Sequence, residues 1–464
     1  MVATPSAAAE GPARWREVFR GRRGRLTAGL LLLEALVAMH ALVVATILPD
    51  VRRDLGMVQL YGLVFTTASL ATLGAIPIAG RAVDRLGPRR VLPPVLAVFT
   101  LGLVIAASAP AMPVVLIGQF FVGAGGGGLY AMSLGTVAKT YPDRLRPRVL
   151  ALLASMWILP GLVGPPLGAL LASTIGWRWA FLAPLPILLL GWLLIAPALS
   201  LVTLHGDGDT RLEIRWPLQL MIGAGIAFTA ITIVRPWAVV AVAVGAAIAL
   251  PALTQIVPGG TFRAVRGVPA AAATAFLLSV GFLAIDAFLT LMLTEVRGLS
   301  LGQAGIAVTF ATLTWALGSW WQSTRAERVR LSRLLIEGAA LTFVGGACVA
   351  AALSTDVPLA SAFVGWAVVG FGMGIAFPTI PLAAMRAAEE GEEGTELSAV
   401  LLMDMLGVAT GAGLGGGAVA LAEATGRPLT SGIGASFTIG LLAVAALIAL
   451  ARRIDLPPGG GGTD

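Results

Sequence analysis

The chain has 464 residues, 57% of them hydrophobic and 12% charged, with a formal net charge of +7. A soluble domain carries about twice that charged fraction, so a water-soluble globule is excluded and lipid must solvate much of the chain. The basic excess needs no nucleic acid to explain it, because its placement along the chain follows membrane topology.

A basic tail, residues 1–25, comes first, and its arginines from Arg14 to Arg25 read as a headgroup anchor. Apolar runs long enough to cross about 30 Å of hydrocarbon at 1.5 Å per residue then recur from end to end. Fourteen are predicted, at 26–49, 60–80, 91–109, 112–138, 149–175, 179–199, 216–234, 237–257, 268–294, 301–323, 334–353, 358–385, 397–421 and 431–451, with a tail at 452–464. Backbone groups in lipid must pair internally, and runs this long without strand alternation make helices rather than barrel strands. The expected fold class is all-α, a polytopic protein with fourteen transmembrane helices. The first run is long, follows six arginines and lacks a small-residue cleavage site, so it reads as a retained helix rather than a signal peptide.

With the N terminus inside, only Arg52, Arg53, Arg178, Arg235, Arg297 and Arg427 of the 31 basic residues fall outside. That division obeys the positive-inside rule, places both termini in the cytoplasm and requires an even number of spans. The chain is thus expected as a multi-pass protein of the cell (inner) membrane. The single Cys348 lies in an apolar run and reads as a small core residue. Lys139, the only lysine, sits in GTVAKT, which lacks the Gly-Lys-Ser/Thr of a phosphate loop. No ATPase engine or ATPase subunit, metal or other cofactor, or enzymatic activity is expected.

Internal similarity organises the runs. His40 to Gly62, with Asp50, Val51, Arg52 and Gln59, aligns with Ile285 to Gly305, with Glu295, Val296, Arg297 and Gln303, at an offset of about 245. Leu152, Leu153, Met156, Gly164 and Gly168 align with Leu401, Leu402, Met405, Gly413 and Gly417, while Asp84 and Arg85 have a worn counterpart in Glu327 and Arg328. Two halves, 26–200 and 268–451, are expected as a parallel repeat, with the helix pair of the linker 201–267 between them and without a twin.

These residues resemble the major facilitator superfamily. Its signature after the second helix, Gly-x-x-x-Asp-Arg-x-Gly-Arg-Arg/Lys, is matched by Gly80, Asp84, Arg85, Gly87, Arg89 and Arg90, with Pro88 inserted. A second signature, the glycine- and proline-rich fifth helix of antiporters, resembles Gly161, Gly164, Pro165 and Gly168, followed by GWRWAF at 176–181. Six plus two plus six helices is similar to the fourteen-span drug:proton antiporter branch. The resemblance implies two pseudo-symmetric six-helix bundles that alternate access to a small-molecule substrate. Two positions depart from it: His40 stands where that branch carries an Asp in helix one, and Gln119 stands ahead of Gly123 where helix four carries an Arg. The family relay that pairs that Arg with the transmembrane acid is not matched here.

Charge inside the membrane costs about 2.5–3.5 kcal/mol on insertion scales, which makes each such residue a functional candidate. Asp286 lies mid-run in the ninth span, beside the repeat position matching His40, and reads as a coupling or substrate residue, the alternative being a neutral, hydrogen-bonded structural Asp. His40 reads either as a proton carrier, since imidazole titrates near pH 6.5, or as a satisfied core residue; with Asp286 it is expected to form a proton site across the halves. Asp404 lies about 10–12 Å into the thirteenth run, where the first half has Ser155. Glu34 is at similar depth in the first run and, about 240° around the helix, faces away from His40; it is a second site or a snorkelling headgroup contact. GAGGGG at 123–128 reads as close helix packing, as do the glycines of 161–168 and 411–417, with Pro165 and Pro166 expected to kink the fifth helix.

In the loop 80–90, Gly80 and Gly87 permit a tight link and Asp84 is suited to a helix N terminus, which the resemblance identifies as the helix opening near Ser398. Beside it the acidic run Glu389, Glu390, Glu392, Glu393 and Glu396 is either a solvated loop or a latch on Arg81, Arg85, Arg89 and Arg90, each exposed pair contributing about 0–1 kcal/mol. The expected function is a secondary active transporter driven by the proton gradient, an efflux antiporter of hydrophobic, amphipathic or cationic small molecules or lipids. The alternatives are a facilitator or importer without proton coupling, and a non-transporting sensor or scaffold.

Overall fold

The computed structural model describes residues 15–55, 63–199, 214–231, 236–299, 301–389 and 391–455. Arg14, Gln59, Arg235 and Glu390, and the tail beyond residue 455, lie outside the described residues, as do the side chains of Arg52 and Pro165. A short turn, α1 (Trp15–Val18), precedes α2 (Gly21–Leu55), which overruns the first apolar run at both ends because its flanking arginines and aspartates continue the helix into the headgroups. Next come α3 (Leu63–Leu86), α4 (Pro88–Ala107) and α5 (Met112–Thr140). The fifth run divides into α6 (Arg146–Ser155) and α7 (Ile158–Thr174), and the sixth into α8 (Trp177–Leu182) and α9 (Leu185–Ala198). The pair without a twin forms α10 (Arg215–Ile231) and α11 (Pro236–Ile256). The second half contains α12 (Val268–Leu291), extended by a π-helical turn, then α13 (Leu301–Arg325), α14 (Leu331–Ala351), α15 (Ala360–Ala387), α16 (Glu393–Ala424) and α17 (Leu429–Leu450). No strand occurs among the described residues. Among the described residues, eleven helical spans are long and apolar enough to cross a membrane, and the other three apolar runs lie on α3, α10 and α13. The chain is a multi-pass membrane protein.

The fifth span also breaks ahead of the prolines that the sequence singled out. Pro165 and Pro166 sit inside an uninterrupted α7, and the helix breaks earlier, at Met156 and Trp157. The cause is Pro160: its ring clashes with the carbonyl four residues back, that of Met156, and it has no N–H to offer. Gly161 resumes the ladder by donating to the Trp157 carbonyl at 3.0 Å.

Packing repeats between the halves. α5 packs on α3 and α4 as α15 packs on α13 and α14, and α2 packs on α7 and α9 as α12 packs on α16 and α17. The extra helices α10 and α11 pack on one another, with α10 also against α3. The GAGGGG segment is an interface on two sides: a Cβ on Gly127 would meet the Thr72 carbonyl of α3 at 2.8 Å, and one on Gly125 would meet Phe99 of α4 at 2.6 Å. Small residues here let three helices approach backbone to backbone.

Contacts between the halves run from α3 and α5 to α16 and from α6 to α13 and α15. The polar ones gather on the face that carries the arginine-rich links 81–90 and 324–333, here called the basic face. At the opposite ends the ion pairs stay within a half: Asp54 with Arg178 at 3.0 Å, and Asp50 with Arg53 at 2.8 Å. There Arg297 caps the Ala352, Ser354 and Val357 carbonyls of its own half. α7, the far segment of the broken fifth span, packs on α2, whereas α6 reaches the second half.

Candidate functional site

The link between α3 and α4 is a single residue, Gly87, at φ 76° and ψ 153°, a conformation that L side chains avoid, and Pro88 then opens α4 as its first helical residue. The inserted proline is therefore part of the turn chemistry. One turn earlier, Asp84 reaches across to the second half. Its carboxylate accepts from the backbone N–H of Gly394 (2.9 Å) and of Thr395 (2.6 Å) and from the Thr395 hydroxyl (2.7 Å). Those are orphan donors of the first turn of α16, capped by a residue from another helix. α16 consequently opens at Glu393 and not near Ser398, since the cap stabilises a polar first turn ahead of the apolar run. Gly80 makes the approach possible, because a Cβ there would sit 2.5 Å from the Ser398 Cβ.

Lys139 closes the arrangement, 2.9 Å from Asp84 and 2.8 Å from Glu393. The acidic run thus engages the lone lysine through Glu393, while Glu396 accepts from the Glu389 N–H at 3.2 Å. Arg89 and Arg90 are exposed, as is Arg85, and Arg81 is half-buried. The side chains of Asp84, Lys139 and Glu393 are only 7%, 14% and 18% exposed, so the small magnitudes of solvated pairs do not apply to them. A mirrored clamp lies on the other flank. Arg148 pairs with Glu327, the counterpart of Asp84; Arg386 pairs with Asp143 at 2.9 Å; and Arg146 donates to the Met385 carbonyl at 3.2 Å.

Deeper in the membrane, Asp404 on α16 is buried and accepts from the Ser279 hydroxyl of α12. Glu34 on α2 accepts from the Trp157 indole at 3.0 Å, at the break of the fifth span. Ser155, the counterpart of Asp404, accepts from the Trp320 indole of the second half at 2.8 Å. Acid and hydroxyl have exchanged places between the halves: Ser279 stands at the repeat position of Glu34, and Ser155 at that of Asp404. Tyr130 on α5 lies within electrostatic reach of both Glu34 and Asp404, acids from opposite halves.

His40 is elsewhere. It is buried inside the first half, its ring 5.8 Å from that of Phe99 and 6.3 Å from that of Phe181, with Nε2 3.4 Å from Gln119 Oε1. The two departures from the family pattern therefore meet one another, and the structure does not bring His40 to Asp286. His40 Nδ1 and Gln119 Nε2 are left buried without a partner. Asp286 is half-buried with no polar partner among the described residues. It lies one turn beyond Phe282, which stacks on Trp366 and meets Trp315 edge-on, each at 5.4 Å. In the fifth-helix motif, Gly164 and Gly168 pack on α2 through Met39 and Val43, and Gly161 faces open space. No cluster of three or more His, Cys, Asp or Glu fit to hold a metal occurs among the described residues. Sequence reasoning passed over Tyr130, Trp157, Ser279 and Trp320; the repeat offset applied to Glu34 was the one signal that leads to Ser279.

Residues 30–412 match the sequence profile of the Major Facilitator Superfamily. A probable multidrug-efflux transporter of Mycobacterium tuberculosis is 27% identical, over 94% of this chain and 95% of that protein. The multidrug transporter protein MdtP of Bacillus subtilis is 22% identical, over 82% of this chain and 73% of its own. Among solved structures, the human organic anion transporter MFSD10 superposes with a TM-score of 0.67 at 15% identity, covering 92% of this chain and 99% of that one. FucP in its outward conformation gives 0.63 at 17% identity, covering 93% and 98%. At such identities the structures speak for the fold, and the profile spans most of the sequence. The chain belongs to the major facilitator superfamily.

Proposed function

We propose that this protein is a proton-coupled efflux antiporter of the cell membrane that moves hydrophobic, amphipathic or cationic small molecules or lipids by alternating access. One observation carries the reading: half-buried Glu34 of the first half and buried Asp404 of the second both lie within electrostatic reach of Tyr130. The multidrug-efflux name of the Mycobacterium relative and the multidrug-transporter name of the Bacillus one support it. In this reading all fourteen runs span the membrane, both termini and the basic face are cytoplasmic, and the conformation described is outward-facing, because the clamps join the halves on the cytoplasmic side.

An ionised carboxylate deep in the bilayer costs about 2.5–3.5 kcal/mol, so the seam closes only around acids neutralised by a proton or by a cationic substrate. Facing outward, the acids take up protons and lose their hold on the substrate. Facing inward, they release the protons to the cytoplasm and regain the charge that draws the next substrate. Half-buried Phe282, one turn from Asp286, and half-buried Trp315 edge-on to it offer stacking and cation–π surface. The test is flux in proteoliposomes, with and without an imposed pH gradient, across a panel that includes lipids. Glu34→Gln, Asp404→Asn and Asp286→Asn are expected to lose gradient-driven transport while remaining folded, and full coupled transport by the first two together overturns the reading.

The second reading, transport without proton coupling, is favoured by Gln119. It binds His40 at the place where the resembled branch carries the arginine of its proton relay. Flux indifferent to the pH gradient selects it.

A further inference from the structure

On the basic face of the second half, away from the seam, lies a cavity of about 630 Å³ lined by Arg266, Arg330, Arg333 and Arg452, with Glu337 and Asp455. Its frame is fixed by the backbone. The Gly267 N–H donates to the Arg453 carbonyl at 3.1 Å, and the Arg453 guanidinium donates to the Arg263 carbonyl at 2.8 Å. Asp455 is already engaged, accepting from the Ser332 N–H (3.1 Å) and hydroxyl (2.5 Å) at the start of α14. Glu337 is engaged by Arg333 at 2.9 Å. Both acids being committed, Arg266, Arg330 and Arg452 line the space, and their guanidiniums have no polar partner among the described residues.

Three guanidiniums converging on one cavity of ligand size match the planar, multidentate recognition of a phosphate. The cavity also sits where α12 and α14 begin and the turn after α17 ends, at the level of the headgroups, with Ile336 on its wall one turn into the apolar part of α14. We propose that it binds the phosphate headgroup of an anionic membrane lipid in the leaflet of the basic face, with Ile336 against the start of the acyl region. A neutral headgroup such as phosphatidylcholine brings its own cation and is disfavoured by the arginines. The site is independent of the acids at the seam, so its test does not depend on the transport reading.

The experiment is lipid retention by the purified full-length chain, followed by native mass spectrometry during titration with phosphatidylglycerol, phosphatidylcholine or inorganic phosphate. Phosphatidylglycerol is expected to be retained over phosphatidylcholine. The triple variant Arg266→Gln/Arg330→Gln/Arg452→Gln is expected to lose on the order of a hundredfold in affinity, at about fivefold per arginine. If the triple variant does not fold, Arg452→Gln alone gives the same test with the single fivefold loss. Equal retention of the two lipids, or unchanged phosphatidylglycerol affinity in the folded variant, overturns the proposal. Saturable binding of inorganic phosphate without retention of phosphatidylglycerol assigns the arginines to a free anion and overturns the lipid source.

Discussion

Asp84 shows how much one carboxylate can hold when it is taken out of water. It caps a helix of the other half and shares a lysine with Glu393, contacts that join the two halves across the basic face. Loss of a helix N-cap is worth about 1 kcal/mol, near fivefold in a two-state population. Asp84→Ala is therefore expected to speed maleimide labelling of a Ser398→Cys probe, in a Cys348→Ser background, by at least that factor; an unchanged rate rejects the clamp. Gly80→Leu should act in the same direction, since its side chain has no room against Ser398 in the closed face. Asp54, on the opposite face, behaves differently. Hydrogen bonds from Arg178 and then Trp177 hold its carboxyl below the ordinary value. The folded-state pKa is depressed, so this contribution is present above the unfolded value and lost only as pH falls through the lower one. Acidification from about pH 7 to pH 5 leaves the group ionised, and the difference in melting temperature between the parent and Asp54→Asn should be equal at those two values.

At the scale of elements, the broken fifth span decides which helices touch. α6 carries Arg146 and Arg148 to the second half, and the break at Met156 lets α7 follow α2 instead. Pro160→Ala restores a helix hydrogen bond to the Met156 carbonyl and removes the clash, a gain of up to about 3 kcal/mol in an unstrained helix. The expected outcome is a higher melting temperature with slower transport, the signature of a hinge; faster or unchanged flux would argue that the break is incidental. Gly164 and Gly168 of this span were legible as small-residue packing, whereas Gly161 faces open space, and the break ahead of Pro160 was not legible. Three prolines compete in one run, and which of them breaks the helix depends on whether neighbouring helices accommodate the freed carbonyl.

For the whole molecule, two pseudo-symmetric clamps flank the seam: Asp84, Lys139 and Glu393 on one side, and Arg148 with Glu327 and Arg386 with Asp143 on the other. Exchange of charge between partners tests the second clamp. Arg148→Glu alone should open the basic face, because breaking a part-buried pair leaves an uncompensated charge worth about 3–5 kcal/mol. Adding Glu327→Arg should restore closure, and failure of the double variant to recover cysteine protection would show that the pair does not join the halves. The repeat had already matched Glu327 to Asp84, so the existence of a second contact could be anticipated from the sequence. Its partner could not, because 179 residues separate Arg148 from Glu327 and no local pattern relates them.

What the sequence determined by itself was everything set by solvent: apolar runs must become helices in lipid, charge must distribute to one side, and Gly87 followed by Pro88 must turn the chain between two helices. A periodic duplication also told which segments would occupy equivalent places. What only the tertiary structure decided was which polar groups meet. Burial removes water as the default partner, so each deep polar group must find a specific one, and the packing of remote helices selects it. That selection gave His40 to Gln119 rather than to Asp286, Lys139 to Asp84 and Glu393, and Glu34 and Asp404 to the neighbourhood of one tyrosine.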